Sequence, residues 1–159
     1  MFQKLNRTTH IPNSKPILIW DGACGFCKFW VTRWKFATGD AVYYTTLQES
    51  AQNFPDIPLK EFKKASRFID LDGFIYSGPD SAYKLYESVP LKDYPFHRWY
   101  IKYSAFRWLS DHAYNFIAKN RPMVFKWVKI LFGSNPTNLK PYWLLYIFCI
   151  LLFVFVLFQ

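Results

Sequence analysis

PILIWDGACGFC, residues 16–27, is the stretch that decides the fold of this chain. Its first five residues form a continuous apolar run, which is typical of a strand covered on both faces. Asp21-Gly22-Ala23 ends the run, and a helix is predicted from about Cys24 to Ala37. Apolar residues then recur at the i, i+3, i+4 and i+7 spacing of one helix face. That face consists of Cys27, Trp30, Val31 and Trp34.

The residues after this helix complete a mixed α/β domain. Residues 41–47 are rich in strand-forming side chains, so strand, helix and strand predict a right-handed parallel βαβ unit. Residues 67–71 and 74–77 flank Asp72-Gly73, a dipeptide suited to a two-residue hairpin turn. A helix through Leu85 follows, which makes the predicted order β-α-β-(α)-β-β-α. Two further helices are expected, at about 98–109 and 111–120.

The cysteine pair has the spacing of a redox dithiol. A cysteine at a helix N-terminus meets unpaired backbone N–H groups and the helix dipole, which stabilise an anion and lower the pKa of the thiol. Cys24 is therefore predicted to be the thiolate that attacks a substrate disulfide. Cys27, one turn later, is predicted to resolve the mixed disulfide. The direction of electron flow stays open.

Asp21 precedes Cys24 by three residues, and two roles are open for it. A buried carboxylate at this place could accept the proton of Cys27 during resolution. The commoner use of aspartate here is structural, either in a turn with Gly22 or as a helix cap. The structural role is favoured.

Metal binding is the main chemical alternative for the pair. Structural zinc needs four ligands, usually in two pairs. The chain offers no second pair, only Cys149 and three scattered histidines, His10, His97 and His112. We therefore expect no metal and no cofactor. The aromatic and basic run at residues 94–100 accompanies no nucleic-acid-binding motif, so no nucleic acid partner is expected.

The C-terminal end is both basic and apolar. The formal net charge is +9, and no acidic residue follows Asp111. Residues 142–158 carry no charge, and as a helix they would reach about 26 Å, near the short limit for crossing a bilayer. They are predicted to form a transmembrane helix that contains Cys149 as a small apolar residue. A buried core helix is disfavoured, because it should show a polar stripe.

The Lys and Arg residues all precede this run, so the positive-inside rule places the N-terminal domain on the cytoplasmic side. Residues 123–132 form a basic amphipathic helix, with Lys126 and Lys129 on one face. This helix either lies on an anionic membrane surface or packs on the domain. Membrane lipid is therefore an expected partner. The predicted organisation is an N-terminal tail (1–15), a domain (16–121), a basic juxtamembrane segment (122–140) and a transmembrane helix (141–159).

Four segments, in this order along the chain, match the pattern of a known family. They are strand–Asp21-Gly22-Ala23-Cys24-Gly25-Phe26-Cys27, Asp70-Leu71-Asp72-Gly73, Ser77-Gly78-x-x-Ser81-Ala82, and residues 113–121 with Tyr114, Asn120 and Arg121. Together they resemble the DCC family of thiol-disulfide oxidoreductases. The resemblance spans about residues 16–121 and implies a thioredoxin-like fold, with Cys24 as nucleophile and Cys27 as resolver. Residues 63–66, before the hairpin, lack the proline that familiar thioredoxins carry there.

Two functional hypotheses follow. The first is a membrane-anchored thiol-disulfide oxidoreductase that acts on a protein or small-molecule thiol or disulfide. The alternative is a non-catalytic thioredoxin-like scaffold that tethers a partner to the membrane. The scaffold hypothesis predicts that loss of both Cys24 and Cys27 leaves partner binding unchanged.

Overall fold

A computed structural model describes residues 2–157 of the chain. Within this range the structure contains four strands and eight α-helices. The strands are β1 (Ile17–Trp20), β2 (Tyr43–Thr46), β3 (Arg67–Ile69) and β4 (Ile75–Ser77). The helices are α1 (Gly25–Thr38), α2 (Leu47–Ser50), α3 (Leu59–Lys64), α4 (Pro79–Tyr86), α5 (Phe96–Lys102), α6 (Ser104–Lys119), α7 (Arg121–Phe132) and α8 (Tyr142–Leu157).

The strands form one mixed sheet in the order β2-β1-β3-β4. β1 pairs parallel with β2, Ile17 opposite Tyr43, and antiparallel with β3, Leu18 opposite Phe68. β4 completes an antiparallel hairpin with β3. The sheet is therefore a βαβ unit with a hairpin added to its first strand, and the mixed α/β architecture agrees with the sequence. The optional helix of the predicted order consists of two short helices, α2 and α3.

β1 is the centre of the core, because successive side chains of a strand point to opposite faces of the sheet. Leu18 packs on one face and Ile19 on the other, and both are fully buried. The Leu18 face is covered by α1 and α4, through Val31 and Leu85. The Ile19 face is covered by Leu47, Phe54, Ile57 and Phe62, which lie in and between α2 and α3. Burial on both faces explains the uninterrupted apolar run of β1.

An ion pair is buried on β3. The side chains of Arg67 and Glu61 are 0% and 1% exposed, and Arg67 Nη2 lies 3.1 Å from Glu61 Oε2. Arg67 also donates to the backbone oxygen of Gln3 and to Ser77 Oγ. A hydrogen bond from Lys64 lowers the pKa of the Glu61 carboxyl. The pair thus ties α3 and the N-terminal segment to the hairpin.

The N-terminal segment packs along the hairpin. Phe2 is buried, Ile75 N–H donates to the oxygen of Asn6, and Thr8 N–H donates to the oxygen of Gly73. Residue 1 of the predicted tail lies outside the described residues. The segment therefore continues the sheet edge beside β4.

Two local predictions are wrong. The hairpin does not turn on Asp72-Gly73 alone: Gly73 N–H donates to the oxygen of Asp70, and Gly73 adopts a φ of 82° after this turn. Such a turn followed by a left-handed glycine is the common form of a longer hairpin loop. The helices after α4 are interrupted at Tyr103, in an extended conformation, rather than near residue 110.

The predicted transmembrane helix is wrong. Among residues 2–157, no helix combines the length and the apolar character that crossing a membrane requires. The apolar run forms α8, whose 16 described residues reach about 24 Å, less than the roughly 30 Å of a bilayer core. Residues 158 and 159 of the predicted segment lie outside the described range. The membrane anchor, the cytoplasmic orientation and the juxtamembrane assignment all depended on this helix and are corrected with it.

The chain divides into two compact units, one ending at Lys119 and one beginning at Asn120. In the second unit α7 ends at Phe132 and is capped by Gly133, whose φ is 86°. The backbone then returns so that Tyr146 of α8 donates its hydroxyl to the oxygen of Ile130, at 3.1 Å. The second unit is therefore a helical hairpin.

Candidate dithiol site

Cys24 is the N-cap of α1. Its backbone is extended (φ −93°, ψ 110°), and its Sγ accepts the N–H of Cys27 at 3.2 Å. An N-cap side chain that accepts from the third helical residue satisfies one of the unpaired donors at the helix start. A sulfur occupies here the position that a serine or aspartate oxygen takes in most caps. The sequence predicted the helix start within one residue.

The two thiols lie in direct contact. Cys27 Sγ donates to Cys24 Sγ, and the two sulfurs are 2.6 Å apart. Both cysteines are thiols, and both are partly exposed. A disulfide needs a sulfur separation of about 2.05 Å, so the pair can close with little movement. The third cysteine, Cys149, lies exposed on α8.

The first turn of α1 favours negative charge on Cys24. It contains no acidic residue, and Lys28 follows Cys27 directly. The N–H that points at Cys24 Sγ and the positive end of the helix dipole act in the same direction. Both of these contributions act at the helix start, where Cys24 lies.

Asp21 forms the turn that leads into the helix. Its backbone oxygen accepts the N–H of Cys24 at 3.1 Å, and its Oδ1 accepts the N–H of Ala23 at 3.2 Å. A carboxylate that binds the backbone two residues on is the usual turn-forming use of aspartate. These contacts place Asp21 in the turn that precedes Cys24.

Gln48 is a site residue that the sequence analysis missed. Its Nε2 donates to Asp21 Oδ1 and its Oε1 accepts the N–H of Gly22, both at 3.1 Å. A Cβ added to Gly22 would lie 2.7 Å from Thr46 Cγ2, so the turn packs closely against the end of β2. The signal was available in Thr46-Leu47-Gln48-Glu49, which has the spacing of a capping box. Such a motif at the end of the strand parallel to β1 places α2 beside the dithiol turn.

Two residues of the matched family pattern hold the segment before β3. Ser66 N–H donates to the hydroxyl of Tyr114 at 3.0 Å, and Ser66 Oγ lies 2.7 Å from Ser81 Oγ. Ile19 pairs with Arg67, the first residue of β3, and Ser66 directly precedes Arg67. Ser81 and Tyr114 therefore act on the segment that borders the end of β1. Across the described residues every peptide bond is trans.

Aromatic rings follow α1 away from the dithiol. Phe26 and Trp30 meet edge to face at a centroid distance of 6.3 Å, and Trp30 lies 6.4 Å from Trp34. Trp34 Nε1 donates to the hydroxyl of Tyr86 at 3.3 Å. The row links the helix that carries the cysteines to α4.

The three histidines lie outside the site. His97 pairs with Asp80, His10 lies near Asp56, and His112 contacts the backbone of its own helix. Within residues 2–157, no three His, Cys, Asp or Glu side chains are grouped so that they could hold a metal ion.

A strand, a tight turn and a helix with two thiols at its N-terminus form the arrangement that a thiol-disulfide oxidoreductase uses. The family model of DCC1-like thiol-disulfide oxidoreductases matches residues 18–127, which is more than half of the chain. The chain therefore belongs to the DCC1-like thiol-disulfide oxidoreductase family, and the resemblance described above is confirmed. No curated protein and no solved structure matches the chain.

Proposed function

We propose that the chain catalyses thiol-disulfide exchange with Cys24 as the nucleophile and Cys27 as the resolving thiol. The observation that carries this proposal is the N-cap position of Cys24, whose sulfur accepts the N–H of Cys27 and contacts its thiol. Thiolates at such positions have a lowered pKa and are therefore reactive near neutral pH. The substrate is a disulfide of a protein or of a small molecule.

The exchange takes two steps. The Cys24 thiolate attacks one sulfur of the substrate disulfide, so that a mixed disulfide forms and one substrate thiolate leaves and takes up a proton. The Cys27 thiol then loses its proton and attacks Cys24 Sγ, and the second substrate thiolate leaves. The chain ends with a Cys24–Cys27 disulfide, oxidised by two electrons, and the substrate ends as two thiols. The relative reduction potentials decide whether the reaction runs in this direction or in reverse.

Asp21 has a structural role in this proposal. Its Oδ1 accepts hydrogen bonds from Ala23 and Gln48, and these bonds hold the turn before Cys24. The Cys27 thiol donates to Cys24 Sγ. We propose that, once the mixed disulfide has formed, the proton of this thiol passes to the departing substrate thiolate, without a dedicated carboxylate base.

Replacing Cys27 with serine is expected to trap the mixed disulfide, because the resolving thiol is then missing. The full chain, with Cys149 also changed to serine, would be incubated with a disulfide-bonded peptide and examined by mass spectrometry. We expect one adduct, on the peptide that contains Cys24. The matched Cys24→Ser, Cys149→Ser chain should carry none. Equal adduct formation on the two chains would overturn the proposal.

A further inference from the structure

The side-chain amide of Gln48, in α2, joins this helix to the turn before α1, which lies far away in the sequence. One end binds the carboxylate of Asp21 and the other binds the N–H of Gly22, each at 3.1 Å. Only one orientation of the amide satisfies both partners, because a carboxylate must be met by the NH₂ group and an N–H by the oxygen. The contact is thus specific to an amide of this length.

Gln48 itself is exposed, but the residues on either side of it are held by hydrogen bonds and by packing. Thr46 and Glu49 form a reciprocal capping box at the start of α2, with hydrogen bonds of 3.3 and 3.1 Å. Leu47 is buried in the core on the Ile19 face. Gly22 approaches Thr46 so closely that no side chain fits between them. The amide is therefore held against the turn by packed neighbours on both sides.

We propose that Gln48 is a positioning residue for the dithiol, which deepens the proposed function and rests on it. By holding Asp21 and Gly22, the amide keeps Cys24 at the N-cap of α1, where the helix start stabilises its thiolate. It also donates a hydrogen bond to the Asp21 Oδ1 that accepts the N–H of Ala23, and so holds the turn that leads into Cys24. Held at the helix start, Cys24 has a lowered pKa.

The test is the pH dependence of alkylation in a chain that keeps Cys24 as its one cysteine, through Cys27→Ser and Cys149→Ser. Gln48→Met preserves the side-chain length and removes both hydrogen bonds. We expect the apparent pKa of Cys24 to rise by about one unit, which means roughly tenfold less thiolate at pH values below it. A thiolate of higher pKa is more nucleophilic. The variant should therefore react with iodoacetamide about threefold more slowly at low pH and about threefold faster on the alkaline plateau.

Near-ultraviolet circular dichroism of the same chains separates positioning from general damage, because a loosened fold would also return Cys24 to an ordinary pKa. A crossing found together with loss of the native spectrum would overturn the proposal, as would superimposed profiles. Gln48→Glu is a second variant of the same size. The introduced carboxylate can still accept the N–H of Gly22, but it lies beside the carboxylate of Asp21 and repels it. This variant should therefore raise the apparent pKa of Cys24 further than Gln48→Met does.

Gln52→Met is the matched control, because Gln52 is an exposed glutamine in the turn that follows α2. Its pH profile should coincide with that of the parent chain, and a shift like that of Gln48→Met would overturn the inference. Alkylation needs no disulfide substrate. Failure of the Cys27→Ser chain to trap an adduct would therefore overturn the proposed function alone, whereas unshifted Gln48 profiles would overturn this inference alone.

Discussion

Replacing Cys24 with serine is expected to abolish catalysis of thiol-disulfide exchange. The observed rate should fall to that of the uncatalysed reaction. A hydroxyl at this position is not ionised near neutral pH, so no nucleophile remains. Serine is among the preferred N-cap residues, and its oxygen can accept the N–H of Cys27 as the sulfur does. The fold and its stability should therefore be retained while the activity is lost. Turnover of a fluorogenic disulfide, with dithiothreitol added to reduce the chain after each cycle, and thermal unfolding, measured on the same sample, would check both parts.

Cys149→Ser is the matched control for this prediction. Cys149 is a free cysteine on α8, and its replacement should leave the turnover unchanged. Substantial turnover by the Cys24→Ser chain, with normal turnover by the Cys149→Ser chain, would show that another group is the nucleophile. Loss of turnover in both chains would also contradict the assignment of Cys24 and Cys27 as the sufficient pair.

Replacing Glu61 with glutamine is expected to destabilise the chain by about 3–5 kcal/mol, the usual cost of removing one partner from a buried ion pair. Arg67 would remain as a fully buried cation whose nearest carboxylate is gone. Urea unfolding followed by tryptophan fluorescence would measure the loss. Lys64→Met is the control, because its side chain is 49% exposed and such pairs contribute at most about 1 kcal/mol.

The effect of Glu61→Gln should also depend on pH. The hydrogen bond from Lys64 lowers the pKa of Glu61 in the folded chain. A carboxyl whose folded pKa is lowered contributes stability above its unfolded pKa and loses it as the pH falls through the folded pKa. The parent chain should therefore approach the variant in stability on acidification. A difference that is below 1 kcal/mol at neutral pH, or the same at every pH, would contradict the importance of the pair.

The features that the sequence predicts well are local. The strand, the turn and the start of α1 follow from an apolar run, Asp21-Gly22 and the 3.6-residue spacing of the next helix, all within residues 16–38. The dithiol itself is equally local, because its two sulfurs are separated by one helical turn. For this reason the chemistry of Cys24 and Cys27 can be proposed without knowledge of the rest of the chain.

The features that the sequence leaves open depend on distant partners. Gln48 contacts Asp21, which lies 27 positions earlier in the chain. Arg67 of β3 pairs with Glu61 of α3 and donates to the backbone oxygen of Gln3 in the N-terminal segment. The residue type alone indicates neither contact, since both side chains are usually exposed. The apolar run near the C-terminal end illustrates the reverse case, in which a local pattern predicted a feature that the structure does not support. Its hydropathy suggested a membrane span, but the described helix is too short for one.

The central claim is that Cys24 is the thiolate, and competitive alkylation of the reduced parent chain tests it most directly. The chain would be treated with limiting iodoacetamide over a range of pH, and the modified peptides would be quantified by mass spectrometry. We predict that Cys24 is alkylated before Cys27, with an apparent pKa clearly below the value of about 8.5 for a free cysteine. Alkylation of Cys27 first, or of both with an ordinary pKa, would contradict the assignment of Cys24 as the nucleophile.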